Sequence, residues 1–169
     1  HKHVVECVRP RAIPILPVLQ RPLVMYTDAE FTPGQLPRIG FVLFRDPPLV
    51  PLGFSMTLSE AMVAAWRPRK QQIFPAELAA VRIACASLFS ELAWRDVLLF
   101  VDNDAAVAAL IRGGSREDDC CHLVQVAHVI WLLGQMRVWI EWVDSASNPS
   151  DGLSRAGLAD PWTVCQGWH

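Results

Sequence analysis

Asp96-Val-Leu-Leu-Phe-Val-Asp102 holds five consecutive apolar residues closed by an acid at each end. A run this short and this apolar suits a strand buried on both faces, which requires helices above and below it. The flanks supply them. Upstream, Pro75 is a favourable first-turn residue, and Glu77, Val81, Ala84 and Leu88 recur at helical spacing, so a helix is expected from Pro75 to about Glu91. Downstream, Asn103 to Arg112 reads as a helix ended by Gly113-Gly114. Ser115, with Asp118 in the capping-box position, then starts a helix to about Leu133. That helix is apolar almost all round, so both its sides are expected to be covered. Arg137 to Val143 reads as a last strand and Pro149 to Arg155 as a short helix.

Ahead of this alternation lie three strands: Leu23-Val-Met-Tyr-Thr-Asp28, Arg38-Ile-Gly-Phe-Val-Leu-Phe44, and about Leu52 to Leu58. Pro33-Gly34 and Pro47-Pro48 turn the chain between them, which suggests an antiparallel meander. The order β-β-β-α-β-α-α-β-α predicts an α/β protein with one five-stranded mixed sheet and helices packed on it. Residues 1–21, with Pro10, Pro14 and Pro17, read as an extended lead-in, residues 22–156 as the folded domain, and residues 157–169 as a tail.

At 169 residues and 52% hydrophobic content the chain is long enough for one buried core and too apolar for a disordered segment. Its start at His1, with no signal peptide, suggests a domain taken from a longer polypeptide. Five cysteines, with Cys120 and Cys121 adjacent, make no disulfide framework or zinc spacing, and read as buried thiols in a reducing intracellular compartment with no disulfide partner. Cys120 to Met136 lacks charged residues but is too short to span a membrane. The net charge of −2 argues against a grip on nucleic acid by bulk charge alone, although 13 of the 15 basic residues are Arg, which suits phosphate contacts.

Four acids stand where a fold would not place them without a use. Asp28 ends the first strand, Asp102 ends the apolar strand, Glu77 lies early in the helix between them, and Asp151 starts the last helix. Each alone could be a turn starter, a cap or a dipole partner. Together they have no Lys or Arg within three positions in sequence, and a crowd of carboxylates is commonly relieved by divalent cations. A ligand set of oxygens without Cys or His favours Mg²⁺ or Mn²⁺ over zinc. Setting the four aside leaves 13 acids against 15 bases, so the negative balance belongs to this candidate site.

The blocks Tyr26-Thr-Asp28-Ala, Ile73-x-x-x-Glu77-Leu, Val101-Asp102-Asn103-x-Ala-Ala-Val and Asn148-x-x-Asp151-x-x-Ser154-Arg155 resemble, in order and spacing, the four blocks of ribonuclease H. The last most resembles the ribonuclease H domains of reverse transcriptases, in retroelements and hepadnavirus-like polymerases. The resemblance covers about residues 22 to 156. It implies a ribonuclease H-like fold and metal-dependent hydrolysis of the RNA strand of RNA·DNA hybrids, with an upstream reverse transcriptase domain in the same polyprotein. It further implies two Mg²⁺ or Mn²⁺ ions, with Asp28 bridging them, Glu77 and Asp102 holding one, and Asp151 the other. Two departures stand out: no His lies between His128 and His169, where many members carry one, and the basic protrusion of some cellular members is missing.

Arg67, Arg69 and Lys70, in the run Trp66-Arg-Pro-Arg-Lys-Gln-Gln72, are candidate phosphate contacts, as is Arg155, which could instead pair with Asp151 one turn earlier. Asn103 could touch the groove of the hybrid or cap the helix that follows. Two rivals share the fold. Asp28-Ala-Glu30 matches the D-x-E of 3′-5′ exonucleases, and a connection domain of a polymerase would keep the fold without the site.

Overall fold

The structure, a computed structural model, describes residues 21–167. Five strands form one sheet: β1 (Leu23–Glu30), β2 (Arg38–Phe44), β3 (Leu52–Thr57), β4 (Asp96–Val101) and β5 (Arg137–Trp142). Their spatial order is β3-β2-β1-β4-β5, with β1–β2 and β2–β3 antiparallel and β1–β4 and β4–β5 parallel. The expected mixed sheet, with a meander followed by alternating helices and strands, is therefore present. The helices are α1 (Glu60–Ala64), α2 (Ile73–Ser87), α3 (Phe89–Leu92), α4 (Asp104–Arg112), α5 (Asp118–Leu133), α6 (Asp151–Ala156) and α7 (Pro161–Cys165).

The sheet has two unequal sides. Met25, Ile39, Phe41, Leu43, Leu99 and Val101 join buried residues of α2, α4 and α5 in the main core. Leucine-sized side chains buried there contribute roughly 1.5–3 kcal/mol each. A second, small cluster joins Val42 and Phe44 to Leu153 of α6. Tyr26, the register partner of Val42, stacks on Phe100 at 4.8 Å between ring centroids.

Several boundaries differ from the sequence reading. Helix α2 begins at Ile73, two residues before Pro75, because a proline in the first turn removes only an N–H that has no intrahelical partner. The long expected helix breaks at Leu88, and Glu91 falls in the separate α3. The N-cap of α5 is Glu117 rather than Ser115, whose hydroxyl accepts from the Glu117 N–H at 3.3 Å. Helix α5 is covered on one side by α2, while Val129, Leu132 and Leu133 are exposed, so the expected cover on its second side is not found among the described residues. Helix α4 ends where expected, with Gly113 at φ 72° in the left-handed region.

Two elements went unread. Helix α1 is capped by Ser59, which accepts from the Met62 N–H at 3.3 Å, and α7 is capped by Asp160, which accepts from the Thr163 N–H at 2.8 Å. Thr163 is fully buried, so the described part of the tail packs against the domain. Of the described cysteines, Cys85 and Cys120 are buried, Cys121 is half-buried and Cys165 is exposed, all as free thiols. Cys165 thus departs from the expected burial, and Cys7 and the lead-in lie outside the described residues.

Candidate active site

Strand register brings the first two acids together. The parallel β1–β4 ladder runs from Leu23 opposite Val97 to Thr27 opposite Val101. Asp28 and Asp102 are the next residue on each strand, so they emerge side by side where the ladder ends. β1 itself continues to Glu30 along β2, which removes the reading of Asp28 as a turn starter. Asn103, not Asp102, caps α4, its side chain accepting from the Ala106 N–H at 3.0 Å. The Asp102 carboxylate is thereby left for another use.

Glu77 arrives from the main-core side. It is the fifth residue of α2, two positions further into the helix than a start at Pro75 would put it, and the Ala29 N–H donates to its Oε1 at 3.3 Å. Oxygens of Asp28, Glu77 and Asp102 lie within 4.8 Å of one another. Asp28 and Glu77 are only 4% and 2% exposed, and Glu77 Oε2 is buried without a hydrogen-bond partner. Two buried carboxylates beside a third, one with an orphaned oxygen, fit a hard divalent cation that takes oxygen ligands. The donor set suits Mg²⁺ or Mn²⁺ alike.

The electrostatics of the bare cluster agree with that fit. Burial, opposed by a hydrogen bond from Ser154 and reinforced by Asp102 and Asp151, raises Asp28 to about 8. Burial, with the charges of Asp28 and Asp102, pushes Glu77 well above the ordinary carboxylate range. Asp151 is half-buried and raised by desolvation, with Arg155 opposing and Asp102, Glu30 and Asp160 adding to the rise. Asp151 stands outside the tight trio but close enough to act on Asp28 through its charge.

Four residues to which the sequence reading gave no role build the frame. The Ser154 hydroxyl donates to Asp28 Oδ2, and the Ser145 hydroxyl to Asp102 Oδ2. Buried Asn148 donates to the Thr27 carbonyl at 3.1 Å and accepts from the Ser150 N–H and hydroxyl, tying the 145–150 loop to β1 beside Asp28. Gly40 is the β2 register partner of Asp28. A Cβ there would stand 2.7–2.8 Å from Leu153 Cβ, Ser154 N and Ser150 O, so only glycine lets α6 approach the sheet this closely. Asn148 and Ser154 stood in the quoted motif, but only the fold shows what they touch.

The candidate substrate residues fare differently. Arg67 pairs with Asp118 at 2.5 Å, and Arg69 with Glu117 and Asp119 at 2.5 and 2.6 Å, so both are engaged at the start of α5 rather than at the carboxylates. The group Glu117, Asp119 and Cys120, also close enough to hold an ion, already contains the Arg69 guanidinium. Burial would raise Asp119, but Arg69 and the N–H groups of Arg67 and Cys120 hold it well below the ordinary range. Lys70 is exposed. Arg155 pairs with Asp151 at 2.9 Å and approaches Glu30 at 3.8 Å, which places it at the rim of the site. Trp142, whose Nε1 donates to the Asp102 carbonyl at 3.1 Å, is half exposed beside it.

No protein-family profile matches the chain, and no curated protein matches it by sequence. Solved structures do match. Ribonuclease H1 from the halophilic archaeon Halobacterium salinarum superposes with a TM-score of 0.60 at 19% identity, over 82% of this chain and 98% of that one. LC11-RNase H1, isolated from compost by a metagenomic approach, gives 0.62 at 14% identity, over 82% and 96%. The foamy viral protease-reverse transcriptase in complex with an RNA/DNA hybrid gives 0.58 at 17% identity, over 90% of this chain and 22% of that longer one. With its five-stranded sheet in the order β3-β2-β1-β4-β5 and helices on both sides, this chain has the ribonuclease H fold.

Proposed function

We propose that this domain is a divalent-metal-dependent endonuclease that cuts the RNA strand of RNA·DNA hybrids, as the ribonuclease H domain of a reverse transcriptase polyprotein. The observation that carries the reading is the trio Asp28, Glu77 and Asp102, gathered within 4.8 Å at the end of the β1–β4 ladder with Glu77 Oε2 left unpartnered. Catalytically idle copies of the fold have no reason to keep such a desolvated cluster. The similarity to ribonuclease H1 enzymes, and to a viral reverse transcriptase solved with a hybrid, supports the substrate class.

Asp28, Glu77 and Asp102 would hold one ion, and Asp151 together with Asp28 a second. Bound there, two divalent ions supply a lowered pKa for the attacking water and charge neutralisation at the leaving 3′ oxygen. Asp28 belongs to the trio and also feels the charge of Asp151, which would suit it to serve both ions. Arg155, which pairs with Asp151 at 2.9 Å at the rim, would meet a phosphate that arrives at the site. Lys70 is the exposed member of the basic run and its candidate backbone contact. The free thiols of Cys85 and Cys120 are consistent with a reducing compartment inside the host cell, and no described helix is long and apolar enough to cross a membrane.

The test is to incubate the domain with labelled RNA·DNA hybrid, double-stranded RNA and single-stranded DNA in Mg²⁺ or Mn²⁺. Internal cuts in the RNA of the hybrid alone, lost in Asp102→Asn, are expected. Stepwise loss of 3′ ends would point to the exonuclease using Asp28 and Glu30. No cutting under any condition would point to a connection domain.

A further inference from the structure

The trio carries one feature beyond its acidity. Each carboxylate has one oxygen held by a donor of the protein itself: Glu77 Oε1 by the Ala29 N–H, Asp28 Oδ2 by the Ser154 hydroxyl and Asp102 Oδ2 by the Ser145 hydroxyl. The two serines come from opposite ends of one short segment. Ser145 opens the turn Ser145–Ser147 after β5, and Ser154 sits one helical turn beyond Asp151 in α6. Between them Asn148 bolts the segment to β1. Ser154 is fully buried, and Gly40 brings its backbone against β2. Its hydroxyl also lies 2.9 Å from the Asp151 carbonyl, so one side chain touches Asp28 and the backbone of Asp151 together.

A carboxylate on a short side chain can turn about its final bond, and each orientation presents a different oxygen. A hydroxyl on one oxygen stops that rotation and fixes the other toward the shared centre, as partners behind metal ligands commonly do. We propose that Ser154 and Ser145 are positioning residues that clamp Asp28 and Asp102 for cation binding, with Ser154 also setting the spacing between Asp28 and Asp151. The proposal rests on the metal-dependent reading of the site. It assigns to the 145–154 segment a role in ligand geometry, at the place where the sequence lacks a loop histidine.

The experiment measures Mn²⁺ affinity of the whole chain by calorimetry, with hybrid cleavage against Mg²⁺ concentration as a second readout. Ser145 is exposed, so Ser145→Ala keeps the fold, and Ser145→Thr keeps the hydroxyl. Loss of one hydrogen bond to a charged group predicts Mn²⁺ binding weaker by about tenfold in Ser145→Ala, recovery in Ser145→Thr, and a KM for hybrid unchanged at saturating metal. Ser154→Ala is expected to show a loss at least as large, and Ser154→Cys, of similar size but a poor donor, the same loss. Wild-type Mn²⁺ affinity in Ser145→Ala and Ser154→Ala, with only a lowered Tm, would overturn the clamp and leave the nuclease reading standing. A wild-type chain that binds no Mn²⁺ overturns both. A chain that binds Mn²⁺ but cuts no hybrid overturns the nuclease reading alone, and the affinities still decide the clamp.

Discussion

Burial beside Asp102 raises Asp28 to about 8 and pushes Glu77 well above its ordinary range, so in the bare protein Asp28 retains its proton near neutrality. The unfolded chain loses that proton near pH 4, and the folded chain does not until pH approaches 8. Over that window the folded state binds more protons, so stability without metal falls as pH rises from about 4 to about 8. Thermal melts in a chelator should therefore show a lower Tm at pH 8 than at pH 5, and Mg²⁺ should flatten the dependence. A Tm independent of pH in the chelator would contradict it. Asp28→Asn should stabilise the metal-free protein at pH 8 by roughly 2 kcal/mol and abolish cleavage. The basic run divides in the same way, residue by residue. Arg69→Ala strands Glu117 and Asp119 and should cost about 2–4 kcal/mol in denaturant unfolding with no rise in KM for hybrid. Lys70→Ala should leave stability within about 0.5 kcal/mol of wild type and weaken hybrid binding at low salt.

At the scale of elements, the site is an agreement between β1, β2 and α6. The β1–β4 register delivers Asp28 and Asp102, and α2 delivers Glu77 from the other side of the sheet. Helix α6 delivers Asp151, and it reaches the sheet only because Gly40 has no side chain. Gly40→Ala should push α6 away from β1, costing about 1–3 kcal/mol and lowering cleavage, with Mg²⁺ demand raised. Unchanged stability and activity would show that α6 yields without effect on the site. Element order, the two glycines ending α4 and the four acids were legible from periodicity and punctuation. Helix α1 was not, since five residues with no buried member carry no periodic signal, and the break at Leu88 was hidden because the apolar stripe runs through it.

At the scale of the whole molecule, net charge −2 is the sum of a negative site and a remainder with two more bases than acids. Of that remainder Arg67, Arg69, Arg95 and Arg137 are engaged by acids within the fold. Outside the site the bases exceed the acids by only two, so affinity for hybrid should fall only gently with salt, with a slope of magnitude near 2 or less on a log–log plot. A slope of 5 or more in fluorescence anisotropy titrations would show a larger basic surface than the structure presents. Attachment of an upstream polymerase domain should raise affinity more than any single surface Lys substitution in this domain.

The apolar run at 97–101, the proline and glycine punctuation and the acids at strand ends were set by local chemistry: hydrophobic period, turn propensity and the cost of burying charge. They sufficed for the sheet and for singling out the three carboxylates that the fold gathers. What the tertiary structure alone decided are the contacts between residues distant in sequence. Ser154 meets Asp28 across 126 positions and Ser145 meets Asp102 across 43. Arg67 and Arg69 turn toward α5 because Asp118 and Asp119 lie in its first turn, about 50 positions away. No local pattern encodes such pairings, because they depend on which faces the sheet and helices bury against each other.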